Sequence, residues 1–333
     1  MSRKSLRPWA WQVRMFDMSV IIVTYNRAAF LPQALRSILG QTMDGNFEVV
    51  VVDNNSTDAT KAVVEGLAQE YGGRLRYLFE RRQGKSYALN TGVQESRGWF
   101  VAFTDDDAVA EPDWLKNLMD CFENYDCDGV GGRVLPEYPA GTPPWVMANA
   151  RTLVGPIVYY DYGSTVRKYT RNIYEFVGAN MAFKRSVLDE AGAFRTDLGP
   201  GQALMGEDTE MVRRLFKAGR KLYYCGPAVV WHPVDPKRMG LRYIARWNMA
   251  LGRYRGTLEK KSLPPGLRYI FGFPAYLVRV MAQQAASLCG HAFDRSRFLE
   301  IWTELFINVG RMQQLKRKGV DHEPLFERDH LYV

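Results

Sequence analysis

Three clusters of acidic residues contain the side chains in this sequence best suited to chemistry. They occur in the segments VVVDNNSTDAT, FTDDDA and LMGEDTEMV, and the candidate residues are Asp53, Asp58, Asp105, Asp106, Asp107, Glu207 and Asp208. Carboxylates accept hydrogen bonds from hydroxyl and imide groups, coordinate hard divalent cations and remove protons. Each cluster also has a structural explanation, which has to be weighed against these functions.

The first cluster begins with Asp53, which ends the apolar run FEVVVVD. A carboxylate at the end of a buried strand can accept hydrogen bonds from a nucleobase imide or from ribose hydroxyls. The structural alternative is capping of the next helix by Ser56, Thr57 or Asp58, and both interpretations can hold together.

The second cluster is the triplet Asp105, Asp106 and Asp107, which follows an apolar segment. Adjacent carboxylates repel one another, and a divalent cation with oxygen ligands would compensate them and bridge to a diphosphate. A solvated acidic loop is the alternative. We favour the metal because the triplet follows a hydrophobic strand end rather than a charge-rich surface helix.

The third cluster places Glu207 and Asp208 at the predicted start of a helix. The positive end of the helix dipole favours ionised carboxylates, so capping alone is a sufficient structural explanation. The same position would also keep a general base unprotonated, ready to take a proton from an acceptor hydroxyl.

Short β-branched runs alternate with segments of helical period between residues 19 and 104, a pattern typical of a mostly parallel sheet flanked by helices. Strands are predicted at 19–24, 47–53, 74–80 and 99–104, and helices at 28–39, 58–71 and 85–95. The sequence therefore predicts a Rossmann-like α/β fold. The acidic clusters are expected at its ligand-binding edge, near the carboxyl ends of strands.

The alternation is weaker after residue 104. We predict helices at 114–124 and 207–219, a loop at 131–145, a strand at 173–183 broken at Gly178, and one or two strands at 221–232.

Composition excludes several classes of protein. With 333 residues, 47% of them hydrophobic, the chain is neither disordered nor collagen-like. The four cysteines lack metal-ligand spacing, so a disulfide scaffold and a zinc ribbon are excluded and a reducing cytosol is the simpler expectation.

The net charge of +8 arises entirely beyond residue 233, where 17 basic residues face 9 acidic ones. Residues 296–318 have the period of an amphipathic helix, and residues 269–293 carry a single charge, Arg279. That stretch is long enough to span a bilayer, but Arg279, Gln283, Gln284 and Pro274 would be costly there. We expect an amphipathic hairpin that lies on a membrane or packs on the catalytic domain.

Three regions are therefore predicted: an N-terminal extension at 1–17, a catalytic domain at 18–233 and a basic, helical C-terminal region at 234–333. The N-terminal extension is basic with scattered apolar residues. It lacks the continuous apolar core and the cleavage site of a secretion signal, so we expect a loosely held segment.

The ordered set of segments resembles the family 2 glycosyltransferases. The set comprises SVIIVTYNR, VVVDNNSTDAT, GKSYALN, FTDDDA, VGAN, GEDTE and WHP, between residues 19 and 233. The resemblance implies an inverting, nucleotide-sugar-dependent transferase with the GT-A fold. Its specificity comes from the order of the whole set, because each segment alone is ambiguous.

The resemblance also implies roles for individual residues. Carried over by position, the nucleotide-sugar residues would be Thr24, Tyr25, Asn26, Arg27, Asp53, Arg81 or Arg82, Lys85, Asp105 and Asp106. The metal, Mn or Mg, would be held by Asp105, Asp107 and His232, although a lone histidine next to Trp231 is equally explained as a packed structural residue. Asp208 would be the catalytic base and Glu207 would touch the acceptor. Asn180 would contact donor sugar or acceptor, although VGAN departs at Ala179 from the commoner double-glycine form.

The resemblance further implies UDP as the commonest donor nucleotide, with GDP and dTDP left open, and a glycan or lipid-linked acceptor. We expect a cytoplasmic enzyme held peripherally on an anionic membrane, with no nucleic-acid partner, because an aromatic RNA-binding strand is lacking.

Two other classes of protein were weighed. A nucleotidyltransferase would usually carry a glycine-rich loop after the first strand, where TYNRAAF stands here. A non-catalytic protein that binds membrane or nucleic acid would explain the basic C-terminal region but would leave the acidic clusters without a role.

Overall fold

The computed structural model describes residues 15–170, 176–260, 262–264 and 266–316. Its strands are β1 Phe16–Thr24, β2 Phe47–Asp53, β3 Leu75–Phe79, β4 Gly98–Asp105, β5 Val109–Ala110, β6 Gly129–Glu137, β7 Val166–Lys168, β8 Met181–Lys184, β9 Leu222–Pro233, β10 Tyr269–Ile270 and β11 Phe273–Pro274. Its α-helices are α1 Leu31–Leu39, α2 Thr60–Tyr71, α3 Lys85–Glu95, α4 Trp114–Asn124, α5 Pro144–Ala148, α6 Val154–Ile157, α7 Arg185–Ala191, α8 Glu207–Lys217, α9 Leu241–Lys260, α10 Ala275–Gly290 and α11 Arg295–Lys316.

The main sheet has the strand order β3-β2-β1-β4-β8-β6-β9-β5, with β7 also paired to β9. Strands β3, β2, β1 and β4 are parallel, β8 runs antiparallel between β4 and β6, and β6 and β9 are parallel to each other. Thr24 pairs with Asp53, and Val23 pairs with Asp105. The predicted α/β class is confirmed, and the first two acidic clusters lie at one edge of the sheet.

Helices cover both faces of the parallel half of the sheet. Alternate residues of the strands enter two cores: Ile22 and Val51 pack with α1 and α4, whereas Ile21 and Val52 pack with α3 and α8. Every residue of β2 is buried. This double burial is why the segment is almost continuously apolar rather than alternating.

The loop predicted at 131–145 is wrong in its first part, because residues 129–137 form β6. Gly131 and Gly132 suggested a turn, but they are strand residues at which another side chain approaches the backbone. A Cβ atom on Gly131 would stand 2.3 Å from the Phe176 ring, and one on Gly132 would stand 2.2 Å from the Asn180 side chain. Glycine in a strand often marks such a close approach.

Other boundaries shift by smaller amounts. The predicted strand at 173–183 is reduced to β8 Met181–Lys184, and its first three residues lie outside the described residues. The N-terminal extension predicted at 1–17 also lies outside them up to residue 14, and β1 already begins at Phe16.

The C-terminal helices pack on the catalytic domain through a separate apolar cluster. Val146 and Ile157, from the segment between β6 and β7, meet Val234, Ile244 of α9 and Leu299 of α11. Tyr254 of α9 packs with Leu198 and Leu204, close to the start of α8. The helical prediction for residues 296–318 agrees with α11, which ends at Lys316 where the described residues end.

Helices α9 and α11 cross at glycines, and this contact leads to a stability prediction. A Cβ atom on Gly252 would lie 2.0 Å from the carbonyl oxygen of Ile307, a distance that requires the helices to separate. We expect Gly252→Ala to lower the free energy of unfolding by about 1–3 kcal/mol. The measurement is urea denaturation followed by circular dichroism.

The matched control is Gly66→Ala, which lies inside α2 with nothing within 4 Å of the added Cβ. Alanine is a better helix former than glycine by up to about 1 kcal/mol, so this variant should be more stable than the wild type. Equal effects of the two substitutions would show that the helix crossing is not tightly packed.

Candidate active site

Asp105, Asp107 and His232 meet at the carboxyl edge of the sheet. β4 ends at Asp105, the chain turns through the triplet, and β5 then pairs Val109 with Trp231 of β9. This pairing brings His232 beside the triplet, with its Nε2 atom 3.4 Å from Oδ1 of Asp107 and 3.7 Å from Oδ2 of Asp105. The spatial association of these predicted residues could not be read from their separation along the chain.

The imidazole of His232 is held in a defined orientation. Its side chain is only 4% exposed, and Nδ1 lies 3.0 Å from the carbonyl oxygen of Pro233. A carbonyl only accepts, so Nδ1 carries the proton and donates it. Nε2 is therefore the atom that faces the carboxylates, as in metal-binding histidines oriented by a backbone carbonyl.

The protein supplies its own cations to the acidic triplet. Arg27 Nη2 lies 3.3 Å from Asp107 Oδ2, and Arg27 Nε lies 3.9 Å from Asp106 Oδ1. Lys85 Nζ lies 2.9 Å from Asp105 Oδ1. Charge repulsion within the triplet therefore does not by itself require a metal, and the sequence-based reason for one is weaker than expected.

These contacts shift the ionisation of the triplet in opposite directions. Burial raises the pKa of Asp105, but the charge of Lys85 and the hydrogen bond and charge of His232 outweigh burial and bring that pKa below its usual range. Burial raises the pKa of Asp106 to about 6, reinforced by the charge of Asp107 and opposed by Thr24 and Arg27. Asp105 is thus a permanent anion, whereas Asp106 gains a proton in mildly acidic solution.

The residues fit a divalent cation only in part. Within the described ranges, no three His, Cys, Asp or Glu side chains are arranged to hold a metal ion by themselves. Ligands lie about 2.1 Å from Mg or Zn, so neighbouring ligand atoms of one ion are roughly 3 Å apart. The 3.4 Å between His232 Nε2 and Asp107 Oδ1 is close to that spacing. The pair fits an ion that takes further ligands from a diphosphate.

Glu207 and Asp208 begin α8, as predicted, and Gly206 precedes them with a φ of 97°. Asp208 Oδ2 accepts a hydrogen bond from the backbone N–H of Gly178 at 2.8 Å, and Oδ1 accepts one from that of Thr209 at 2.6 Å. Two backbone donors thus fix the direction of the Asp208 carboxylate. The Tyr254 ring packs against Gly206, because it would lie 3.4 Å from a Cβ atom built on that glycine.

Lys85 connects the second and third acidic clusters. Its Nζ atom contacts Asp105 at 2.9 Å and Glu207 at 3.8 Å, with a side chain 22% exposed. Burial disfavours its charge, but the carboxylates of Asp105 and Glu207 raise the pKa of Lys85 above its usual value. Burial and the neighbouring Asp208 charge raise the pKa of Glu207, against the opposing effect of Lys85.

The loop before α8 explains how Lys85 reaches Glu207. At the start of α3, the Lys85 backbone N–H donates to the carbonyl of Pro200 at 3.2 Å, and Ser86 Oγ donates to that of Leu198 at 2.8 Å. Two segments more than 100 residues apart are thereby held side by side.

The residues predicted for the nucleoside side form a second hydrogen-bonded group. Asn26, at a φ of 53° that asparagine tolerates, donates its N–H to Ser56 Oγ and accepts from Thr57 N–H, both at 2.8 Å. Asp58 accepts from the Ala28 N–H at 3.1 Å. These contacts join the loops after β1 and β2, while Tyr25 is 48% exposed at the surface.

Asp53 is buried and already has two partners. Its Oδ1 accepts from the Ser56 N–H and its Oδ2 accepts from the Tyr77 hydroxyl, each at 2.8 Å. Each carboxylate oxygen can accept more than one hydrogen bond, so the binding interpretation stays a prediction. The predicted capping by Ser56 or Thr57 is not seen, because Ala59 precedes α2 without a side-chain cap, whereas Asp58 accepts from the Thr60 N–H at 3.0 Å. Tyr77, on the neighbouring β3, was missed from the sequence because strand pairing between β2 and β3 brings it there.

Asn54 is a second residue that the sequence did not single out. It is 3% exposed, accepts from the Gly84 N–H at 2.8 Å and donates to the Arg82 carbonyl at 2.7 Å. It therefore orients the segment that begins α3 and carries Lys85. Its place immediately after Asp53 at a strand end was the available signal.

Two predicted binding residues have hydrogen-bond partners within the protein. Arg82 Nε and Nη2 bind Glu80 at 2.9 and 2.8 Å, and this pairing lowers the pKa of Glu80 to about 2. Asn180 is fully buried: it accepts from Trp114 Nε1 at 2.8 Å and donates to the carbonyls of Arg133 and Ala228 at 2.9 Å. These hydrogen bonds fix the Asn180 side chain between β6, β9 and α4, and its contact with a sugar stays a prediction.

A cavity at the C-terminal helices does not coincide with this site. Its volume is 720 Å³, and α10, α11 and residues 151–152 form its walls. None of the predicted site residues lines it. The candidate site is instead the open carboxyl edge of the sheet, where strand ends and the start of α8 converge.

A parallel half-sheet continued by β8, β6 and β9, with acidic residues at its carboxyl edge and at the start of α8, defines a glycosyltransferase of the GT-A type. The chain belongs to glycosyl transferase family 2, whose family model matches residues 19–192. The expected family and the expected enzyme class are therefore confirmed.

Relatives of known name extend the similarity beyond that segment. Glycosyltransferase AglE of Haloferax volcanii is 28% identical over 310 residues, which span 90% of this chain and 96% of the relative. Glucosyl-dolichyl phosphate glucuronosyltransferase of the same organism is 32% identical over 185 residues, 55% of this chain and 57% of the relative.

A solved structure has the same fold over most of the chain. The mannosyltransferase PcManGT from Pyrobaculum calidifontis, in complex with GDP-mannose and Mn²⁺, superposes with a TM-score of 0.60 at 21% identity. The alignment covers 90% of this chain and 87% of that one, so it includes part of the C-terminal helical region.

Proposed function

We propose that this glycosyltransferase moves a sugar from a nucleotide-diphospho-sugar, with UDP as the first candidate nucleotide, to a hydroxyl group of a glycan or lipid-linked acceptor. The reaction would invert the anomeric centre and require Mn or Mg. The observation that supports this best is the position of Lys85, whose ammonium group contacts both the acidic triplet and the pair of acids at the start of α8. Donor and acceptor groups would thus meet at one place.

The proposed reaction is a single displacement and needs no covalent intermediate. The acceptor oxygen forms a bond to the anomeric carbon as the bond from that carbon to the diphosphate oxygen breaks, and its electron pair leaves with the diphosphate. Asp208, held by the N–H groups of Gly178 and Thr209, takes the acceptor proton. Attack on the face opposite the leaving group inverts the configuration.

Cationic side chains would stabilise the charge that develops on the leaving group. Lys85 and Arg27 both lie at the triplet, and a bound diphosphate would compete with Asp105 and Asp107 for them. Asp107 and His232 would hold the divalent cation, which when bound neutralises the diphosphate charge. Glu207, buried beside Lys85, would hydrogen-bond the acceptor.

The acceptor class and the location are proposed from the relatives and from charge. One relative is named for a reaction on a dolichyl phosphate-linked sugar, and a lipid-linked acceptor would bring the enzyme to a membrane surface. We propose a peripheral position on the cytoplasmic face, consistent with the excess of basic residues beyond residue 233.

A thermal-shift screen of nucleoside diphosphates with Mn tests the proposal. A ligand at 100 times its dissociation constant stabilises the native state by about 2.7 kcal/mol, so UDP should raise the melting temperature measurably. GDP and dTDP serve as comparisons, and transfer assays with the matching nucleotide sugars follow. If no nucleoside diphosphate shifted the melting temperature with or without Mn, the proposed donor class would be wrong.

A further inference from the structure

The hairpin β10–β11 and helix α10 expose an unusual amount of apolar surface. Phe271 at the hairpin tip is 91% exposed, and Phe293, after the end of α10, is fully exposed. We call this surface the docking face and define it by Tyr269, Ile270, Phe271 and Phe293. Tyr269, Ile270 and Phe271 are consecutive exposed apolar residues, and exposed apolar patches on proteins mark interaction sites.

The hairpin tip holds its aromatic residue in an unfavourable backbone conformation. Phe271 has a φ of 52° and Gly272 a φ of 81°, so both central residues of the turn are left-handed. Asparagine or glycine is preferred at the first of these positions, and a bulky residue there is strained. A phenylalanine that is both strained and exposed indicates that its ring has a use outside the folded chain.

Helix α10 is anchored on one side and free on the other. Leu277 is buried, and Gln284 accepts a hydrogen bond from Asn308 of α11 at 3.0 Å. The exposed positions Arg279, Ala282 and Ala286 recur every three or four residues on the side opposite Leu277 and form an outward side. Tyr276 accepts from Arg311 of α11 at 3.2 Å, and Val280 and Gln283 line the cavity between α10 and α11. α11 therefore holds this side of the helix toward the exterior.

The charge around the docking face identifies its partner. Residues 260–293 contain four basic residues, Lys260, Lys261, Arg268 and Arg279, and no acidic residue. In the neighbouring helices basic residues form ion pairs, as Arg297 does with Glu300 at 2.8 Å and Arg311 with Glu259 at 2.8 Å. Arg268 and Arg279 thus lie in a stretch of sequence that carries basic residues only, next to the exposed apolar residues.

The dimensions of α10 favour a helix lying flat on a surface. Its 16 residues extend about 24 Å, with Phe271 before the first turn and Phe293 beyond the last. None of the helices in the described part of the chain is long and apolar enough to cross a bilayer. A helix with aromatic groups at both ends, a neutral to basic outward side and no acid suits the lipid headgroup region.

We propose that the docking face binds an anionic lipid bilayer, with the Phe271 and Phe293 rings inserted among the headgroups and Arg268 and Arg279 on lipid phosphates. Membrane binding would hold the active site near a lipid-linked acceptor. That role of the docking face rests on the proposed function, whereas the binding itself does not. The proposal differs from attraction by the overall charge of the C-terminal region. Here the inserted apolar rings contribute more of the free energy of membrane binding than the charges do.

Sedimentation with vesicles tests the docking face directly. The full-length protein is mixed with vesicles of phosphatidylcholine containing phosphatidylglycerol, and with vesicles of phosphatidylcholine alone. We expect F271S/F293S to lower the partition coefficient for the anionic vesicles at least about tenfold, because each substitution removes an aromatic ring that would insert among the headgroups. R268Q/R279Q should lower binding to the anionic vesicles alone.

The matched control is F79S, which removes a ring that is 52% exposed at the end of β3. It should leave vesicle binding unchanged. Wild-type sedimentation of F271S/F293S would overturn the proposal. A dimer detected by analytical ultracentrifugation and lost in F271S/F293S, without vesicle binding by the wild type, would also overturn it and assign the face to a second copy.

The vesicle experiment and the nucleotide-binding experiment can fail independently of each other. F271S/F293S should retain the wild-type shift of melting temperature with UDP and Mn, because the docking face contains none of the proposed donor residues. Failure of every nucleoside diphosphate to bind would refute the proposed donor while leaving the vesicle result intact, and vesicle failure would leave donor binding intact.

Discussion

Asp208→Asn should lower kcat for sugar transfer at least about 100-fold while UDP and Mn bind as they do to the wild type. Asparagine has the shape of aspartate but a single acceptor oxygen, so the variant can keep one of the two hydrogen bonds that Gly178 and Thr209 donate to separate oxygens of Asp208. What the variant loses is the capacity to accept the acceptor proton. Initial-rate kinetics with donor and acceptor varied separately measure the effect.

Stability measurements distinguish this role from helix capping. Loss of a capping interaction costs about 1 kcal/mol of stability and leaves catalysis largely intact. The comparison variant is Glu207→Gln, which removes the neighbouring carboxylate of the same helix turn. Because Glu207 is proposed to bind the acceptor, this variant should raise KM for the acceptor more than it lowers kcat. Near-normal kcat in Asp208→Asn would make Asp208 a capping residue and Glu207 the next candidate base.

Asp107→Ala should abolish the Mn-dependent increase of melting temperature that UDP produces. Asp107 lies 3.4 Å from Nε2 of His232, whose other nitrogen is held by the Pro233 carbonyl, so removal of Asp107 takes away one of the two proposed metal ligands. The fold should persist, because Asp107 lies in a turn and its side chain contacts Arg27 and His232 rather than the hydrophobic core. His232→Ala should produce the same loss, and EDTA should produce it in the wild type.

The control Glu70→Ala removes an exposed acid of α2, remote from the triplet, and should keep the full response. Two results would contradict the metal assignment. One is a wild-type UDP response in Asp107→Ala with Mn. The other is a UDP response of the wild type that EDTA leaves unchanged while Asp107→Ala loses it, because Asp107 would then act by positioning Arg27, 3.3 Å away.

The sequence predicts features that depend on residues close together along the chain, and it fails where residues far apart along the chain meet. Apolar period and strand-ending residues are local patterns, and they located α3, α4 and the start of α8 at the bounds later found. Gly131 and Gly132 led to a wrong loop prediction. From the sequence, a glycine that ends a strand cannot be told apart from one that makes room for a neighbouring side chain, as these two do for Phe176 and Asn180. Asn180 itself matched the family pattern, but its buried hydrogen bond with Trp114 became visible only in the fold.

The sequence by itself determined the α/β class, the acidic clusters at strand and helix ends, and the resemblance to family 2 glycosyltransferases, since each depends on residue types at short spacing. Only the tertiary structure decided that Lys85 joins Asp105 to Glu207, that Arg27 and Lys85 neutralise the triplet, and that Phe271 remains exposed. Those contacts join segments tens to more than a hundred residues apart. Their distances depend on strand register and on the packing of the whole sheet, which short-range patterns do not encode.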